Sequence, residues 1–193
     1  LVMDLQTNVK AMRSPAYARR VKLTNLQQMA NTIIYVQEHG IDTQTELKRM
    51  LLDSQKELAE RQDQLAQHVT KAKTLNNQIH YTGQYFANKE TYSKFVKSKI
   101  KGKYWKEHAA EIQAFEEARD WLNSFYQNEK MTSMKDLKIQ KNNLQQTIDS
   151  DKESIKSLKE KLKDLETADQ NVDAILHMQI PEKRKEKSKE PER

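Results

Sequence analysis

The chain of 193 residues has a formal net charge of +6 and contains no cysteine. Because 36% of the residues are hydrophobic and 32% are charged, the composition is too polar for one large globular core and suits long helices that each bury a narrow stripe. The absence of cysteine excludes disulfides and thiolate metal sites and, with the lack of a secretory signal pattern, favours a cytoplasmic protein. No apolar stretch approaches the roughly 18 residues of a membrane-spanning helix, so no membrane insertion is expected.

The first segment, residues 1–23, is interpreted as a linker or a frayed end, because Pro15 is expected to break any helix there. The segment is basic, through Arg13, Arg19, Arg20 and Lys22. The chain starts at Leu1 rather than at methionine, which indicates a piece of a longer protein in which any catalytic domain would lie upstream.

A short helix is predicted over residues 24–40, with Thr24 or Asn25 as its N-cap. Gly40 follows it in the position that favours a left-handed residue. Apolar residues at helical spacing predict a face that needs a partner. They are Leu26, Met29, Ile33 and Val36.

The first long helix is predicted over residues 43–82, where Thr43 and Glu46 have the spacing of a capping box. Its core positions recur with the heptad spacing of an imperfect coiled coil. One series is almost wholly apolar: Leu51, Leu58, Leu65, Ala72, Ile79 and Phe86. The other series is half polar: Leu47, Ser54, Arg61, His68, Leu75 and Thr82.

An aromatic, lysine-rich insert follows at residues 83–127. It holds all four phenylalanines and both tryptophans, which indicates a small core that a two-helix seam alone would not provide. One helical face predicts a helix over residues 104–126. This face comprises Ala109, Ile112, Phe115, Arg119, Leu122 and Phe125.

The second long helix is predicted over residues 132–178, with Thr132 or Ser133 as its N-cap. Its first heptad series is Leu137, Leu144, Asp151, Leu158, Leu165 and Val172. Its second series is Lys141, Ile148, Ile155, Leu162, Asp169 and Leu176. Lys141 and Asp151 are expected to set the register against Arg61 and His68. Residues 179–193 are predicted to be a disordered charged tail.

These elements predict an all-α fold in which the two long helices form an elongated antiparallel hairpin. The hairpin would be a coiled-coil stalk, with the small aromatic helical insert at its tip. The alternative is pairing between chains, in a homodimer that forms through the same heptad seams.

No pattern in the chain predicts catalysis, a cofactor or a metal ion. The five histidines lack the i, i+4 pairing with a nearby carboxylate that a helical zinc site uses. No phosphate-binding glycine loop and no nucleophile elbow occurs. The chain is therefore expected to be a binding or structural module rather than an enzyme.

The strongest binding signal is a lysine cluster without intervening acids between Glu90 and Glu107. Lysines neutralise phosphates, and interleaved aromatic rings stack on unpaired bases. The candidate nucleic-acid contacts are Lys94, Lys97, Lys99, Lys101, Lys103, Lys106, Tyr92, Tyr104 and Trp105. In the alternative interpretation, the aromatic rings form the core of the insert and the lysines only solvate its surface. Lysine in place of arginine argues against base-specific recognition.

The order of several short motifs resembles the C-terminal helical region of MobP-type relaxases, the mobilization proteins of Gram-positive conjugative elements. The motifs are MANTIIYVQEHGI (29–41), ETYSKFVKS (90–98), KEHAAEIQAFEEARDWLNSF (106–125), KMTSMKDLKIQKNNL (130–144) and NVDAIL (171–176). The chain departs from the family's pattern in a shortened stretch at Gly102-Lys103 and in having Thr132 where a proline is common.

This resemblance implies a non-catalytic accessory module of a conjugative relaxase. The module would assist DNA mobilization by contacting single-stranded or transfer-origin DNA, or by docking transfer-machinery proteins. The tyrosine nucleophile and histidine metal triad of such relaxases lie in an N-terminal domain that has no counterpart here, so no catalytic residue carries over. The alternative function is a structural coiled-coil scaffold without a nucleic-acid role.

Overall fold

The computed structural model describes residues 1–5, 7–127 and 129–179, and all regular secondary structure in this part of the chain is α-helical. The helices are α1 (Val9–Arg13), α2 (Pro15–Glu38), α3 (Gln44–Lys97), α4 (Lys101–Tyr126) and α5 (Met134–Gln179). The prediction of an all-α protein is confirmed. Within the described ranges, no helix combines the length and apolar character that crossing a bilayer requires. The predicted disordered tail lies, from residue 180 onward, outside the described residues.

The N-terminal segment is helical from Val9 onward, apart from Ser14, and its prediction as a linker is wrong there. The side chain of Asn8 caps α1 by accepting from the amides of Lys10 and Ala11 at 3.1 Å. Ser14 caps α2, with its Oγ 3.4 Å from the Tyr17 amide. Pro15 starts α2 rather than breaking a helix, because the first helical position needs no backbone N–H and suits the fixed φ of proline.

The buried face of α2 also differs from the prediction. Val21, Asn25 and Thr32 are its buried residues. Of the face predicted from periodicity, Met29 and Val36 are partly buried, whereas Leu26 and Ile33 are exposed. Two apolar stripes overlap on this helix, and periodicity by itself does not distinguish which one packs inward.

The connection from α2 to α3 follows the predicted capping signals. Gly40 has a φ of +61°, the left-handed conformation expected after a helix C-terminus. Thr43 Oγ1 accepts from the Glu46 amide at 3.1 Å. The Glu46 carboxylate accepts from the Asp42 amide at 3.2 Å rather than from Thr43, so the capping interaction begins one residue earlier than in the standard box. At the start of α5, Ser133 is the N-cap, with its Oγ accepting from the Asp136 amide at 3.1 Å.

Helix α3 does not end at Thr82, and this predicted boundary is wrong. The helix continues through Gly83 to Lys97. A glycine inside a helix costs about 1 kcal/mol relative to alanine. The continuation offsets this cost because Tyr85 and Tyr92 both stack on Phe115 of α4, with ring centroids 4.9 and 4.3 Å apart.

The chain divides into two compact units. Among the described residues, the first unit contains residues 1–59 and 156–179, and the second contains residues 60–155. In the first unit, Ile41, Leu47, Leu165 and Ala168 form an apolar cluster. At the start of α3, Gln44 donates a hydrogen bond to Asp173 near the end of α5, and Lys48 lies 3.5 Å from the same carboxylate. These contacts place the start of α3 beside the end of α5 in this unit.

Buried amides attach the N-terminus to the first unit. Asn171 Oδ1 accepts from the Val2 amide at 2.8 Å, and its Nδ2 donates to Thr32 Oγ1 at 2.8 Å. Asn25 binds the backbone of Met3 through both of its side-chain groups, at 2.9 and 2.7 Å. The side-chain oxygen and nitrogen of both asparagines are therefore hydrogen-bonded although they are buried. These bonds fix the rotation of α2 about its axis.

In the second unit, α4 packs against α3, where Tyr81 stacks on Trp121 with ring centroids 4.6 Å apart. The buried apolar residues of this unit are Leu75, Ile112, Phe115, Ala118, Leu122, Leu137, Ile148 and Ile155. The face predicted for α4 therefore supplies Ile112, Phe115 and Leu122, while Phe125 is exposed. His68 of α3 and Asp151 of α5 are joined by a contact of 2.7 Å.

The half-polar heptad series of α3 is the more deeply buried one. Leu47, Ser54, Leu75 and Thr82 are buried, whereas the apolar series is partly buried and ends in exposed Phe86. Serine and threonine are small, which allows close approach of the neighbouring helix at their positions. Of the four predicted register residues, His68 and Asp151 pair as expected, and Arg61 and Lys141 are exposed.

We expect the substitution His68→Leu to destabilise the second unit by about 3 kcal/mol, because it leaves the buried Asp151 carboxylate unpaired. Asp151→Leu should cost about 1 kcal/mol, since the imidazole is partly exposed and can be hydrated. The double substitution should restore the wild-type free energy of unfolding or exceed it, because two leucines extend the apolar seam. Chemical denaturation of the four proteins measures the coupling. Strictly additive losses would contradict a specific pair at this position.

Candidate nucleic-acid interface

The predicted lysine cluster lies where α3 ends and α4 begins. We call this region the lysine surface and define it as Lys94, Lys97, Lys99, Lys101, Lys103, Lys106 and Trp105. All seven of these residues are exposed. Lys94 and Lys97 lie in the last turn of α3, where cations interact favourably with the helix dipole.

The start of α4 adds positive potential to the lysine surface. Its N-cap, Ile100, has no side-chain hydrogen bond to the free amides, and the first turn holds no acidic residue. Lys101 and Lys103 instead occupy this first turn, at the end of the helix where partial charge is already positive. This arrangement is unfavourable for the isolated helix and favours the approach of an anion.

One lysine of the surface is partly neutralised. Lys94 Nζ lies 2.8 Å from the Glu90 carboxylate one helical turn earlier. This hydrogen bond raises the pKa of Lys94 and lowers the pKa of Glu90, so both remain charged at neutral pH. In the part of the chain that the structure describes, the other lysines of the surface form no ion pair.

The two tyrosines among the candidate contacts do not share this exposure. Tyr92 is partly buried, with its ring stacked on Phe115 at 4.3 Å and the Arg119 guanidinium 5.8 Å above it. Arg119 also donates to the Tyr92 hydroxyl at 3.2 Å. Tyr104 is partly buried beside His108, with ring centroids 4.5 Å apart. Both tyrosine rings therefore have partners within the protein, and neither is as exposed as Trp105.

Trp105 is the aromatic ring that the lysine surface presents to solvent, at 42% exposure. Val96 and Ile100, which lie among the same lysines in the sequence, are also exposed. These two apolar residues are not among the predicted contacts, although they alternate with lysines in FVKSKIKGKYW (95–105). Exposed apolar groups among lysines match the chemistry of nucleic-acid bases attached to a phosphate backbone.

A kink separates the lysine-bearing start of α4 from the rest of the helix. His108 leaves the helical conformation, with φ −127° and ψ 26°. After the kink, Ile112 and Phe115 are buried in the core of the second unit. Packing thus holds the helix after His108 in place, while residues 101–107 project the lysines.

The described residues offer no competing site with clear chemistry. They contain no group of three or more histidine, cysteine or carboxylate side chains that could hold a metal ion. An open groove of about 540 Å³ lies between α3 and α5 in the second unit. It is lined by Thr70, Lys71, Thr74, Leu75, Gln78, Gln140, Asn143, Leu144 and Thr147. Six of these nine residues carry an amide or a hydroxyl group, and the lining holds no pair of acid and base groups for catalysis.

Comparison of the chain with protein-family models, with curated proteins and with solved structures gives no match. The resemblance to MobP-type relaxases therefore depends on the sequence motifs alone.

Proposed function

We propose that this chain binds single-stranded DNA through the lysine surface, as a non-catalytic accessory module of a MobP-type relaxase. The observation that carries the proposal is the exposure of the six lysines around one exposed tryptophan. The ordered motifs supply the link to conjugative mobilization. In this proposal α3 and α5 pair within one chain as a coiled coil. Contacts between the two helices inside each unit support this pairing.

The chemistry of the surface favours single strands over a specific duplex sequence. Lysine contacts phosphates as a point charge and lacks the fork with which arginine reads guanine. A single exposed indole can stack on any unpaired base, which is a sequence-tolerant interaction. Binding that tolerates sequence suits a module that holds a DNA strand after another domain has selected the transfer origin.

The rival function is a helical scaffold that docks transfer proteins and makes no nucleic-acid contact. One observation favours it: Tyr92 stacks on the buried Phe115, so part of the aromatic signal belongs to the core. The two functions differ in whether free single-stranded DNA binds at all.

Fluorescence anisotropy with a labelled thymine oligonucleotide of about 15 nucleotides tests the proposal. We expect micromolar affinity at about 50 mM salt that weakens steeply as salt is added. Trp105→Ala should reduce the affinity about tenfold without changing the salt dependence, because stacking releases no counterions. The matched control is Phe86→Ala, which removes an exposed ring outside the lysine surface. Absence of binding at low salt would favour the scaffold instead.

A further inference from the structure

Helix α2 has its more apolar face turned to solvent. Leu23, Leu26, Ile33 and Ile34 are between 50% and 65% exposed, and Ala30 between them is exposed as well. At 100° per residue these five residues form one stripe along the helix. Single exposed leucines are ordinary, but a continuous stripe on one helix indicates a surface that another molecule covers.

The stripe cannot be buried by rotating α2. On the opposite side of the helix, Asn25 is hydrogen-bonded to the backbone of Met3, and Thr32 to the buried Asn171. A rotation that brought Leu26 and Ile33 inward would break these hydrogen bonds and leave buried polar groups unsatisfied. The apolar stripe is therefore a fixed outward surface of the first unit.

The spacing of the stripe is that of a coiled-coil seam. Leu23, Leu26, Ala30 and Ile33 alternate by three and four residues, as core positions a, d, a and d. In an antiparallel pair of identical helices, a positions lie opposite d positions. Leu23 would then face Ile33 of a second copy, and Leu26 would face its Ala30, so that every layer is apolar. The small Ala30 leaves room for Leu26.

The charges at the ends of α2 select this antiparallel orientation. Arg19, Arg20 and Lys22 lie near its N-terminal end, and Glu38 is its last residue. Arg20 and Glu38 are eighteen residues apart in sequence, which places them on the same flank of the helix after five turns. An antiparallel copy brings Arg20 next to the Glu38 of the other chain, at both ends of the pair. A parallel copy would bring the arginines together.

We propose that the outward stripe of α2 binds the same stripe of a second copy of this chain, antiparallel and about a two-fold axis. This dimer differs from the one predicted through the heptad seams, because those seams pack inside the two units. Four apolar layers bury less than the roughly 800 Å² per partner of a standard stable interface. The dimer is therefore weak, with a dissociation constant on the order of 10–100 μM. The proposal does not depend on DNA binding.

Sedimentation velocity over about 5 to 500 μM protein tests the dimer. We expect the average mass to rise from one copy to two across this range. Leu26→Glu with Ile33→Glu should leave a monomer at every concentration, because both residues are already exposed and their change leaves the fold intact, as circular dichroism would verify. The control is Leu52→Glu, which places one glutamate at an equally exposed leucine of α3 in the same unit. It should dimerise like the wild type.

The orientation is tested separately, since the chain has no cysteine of its own. Gln27→Cys lies near the two-fold axis of the antiparallel pair and should form an intermolecular disulfide on oxidation, whereas Glu38→Cys should not. Arg20→Glu should weaken the dimer about tenfold, and adding Glu38→Arg should restore it. A monomer at all concentrations would overturn the proposal and assign the stripe to a different protein. A dimer unaffected by the Leu26 and Ile33 substitutions, or linked through Glu38→Cys, would overturn it too.

Discussion

Replacing Lys97, Lys101 and Lys103 by glutamate should reduce the affinity for single-stranded DNA about a hundredfold at roughly 0.1 M salt. Each phosphate contact to a single strand releases about 0.7 of a counterion, so three lost contacts remove roughly two powers of ten. The slope of log affinity against log salt should also fall by about 2. The expected loss is a lower estimate, because the introduced carboxylates repel the strand.

Two variants show whether position or total charge causes this loss. Lys71, Lys138 and Lys141 are exposed lysines of the second unit outside the lysine surface, and reversing them changes the net charge equally. The affinity of that control for single-stranded DNA should fall by less than about tenfold. Lys97, Lys101 and Lys103 replaced by arginine should bind as the wild type does, because phosphate contact requires only the positive charge. Equal losses in both glutamate variants would mean that the lysine surface is not a site.

Phe115→Ala should lower the free energy of unfolding of the second unit by about 4 kcal/mol. The ring is 5% exposed and stacks between Tyr85 and Tyr92, at centroid distances of 4.9 and 4.3 Å. Its removal leaves a cavity and deprives both tyrosines of their stacking partner, which adds about 1 kcal/mol to the loss of buried apolar area. Chemical denaturation followed by near-ultraviolet circular dichroism measures both the stability and the aromatic packing.

The matched control for this substitution is Phe86→Ala, which deletes the same ring from a position that is 54% exposed. Phe86 was predicted as the last core residue of the apolar heptad series. We expect a loss under about 1 kcal/mol, because most of its ring already contacts water. A larger loss at Phe86 than at Phe115 would show that the heptad series, rather than the contact with α4, forms the core of the second unit.

Local signals in the sequence identified most helix ends. The cap at Thr43, the left-handed Gly40 and the cap at Ser133 each involve groups within a few residues of one another. Local sequence also identified the lysine surface, because a run of lysines at a helix junction remains solvated in almost any packing. Pro15 was interpreted wrongly since the same residue breaks a helix interior and starts a helix, and Ser14 before it was the overlooked signal.

The features that required the tertiary structure are those in which two remote segments compete. The sequence was compatible with Tyr92 in the candidate interface or in the core. Its stacking on Phe115 of α4 places it in the core. Helix α3 passes through Gly83 because α4 stabilises the continuation. On α2 the outward stripe is more apolar than the inward one, and the hydrogen bonds to Met3 and Asn171 decide which is buried. Sequence alone determines that helices form and where their charges lie, because these depend on neighbours along the chain. Only tertiary structure determines which face is buried, because burial depends on the partner that packs against it.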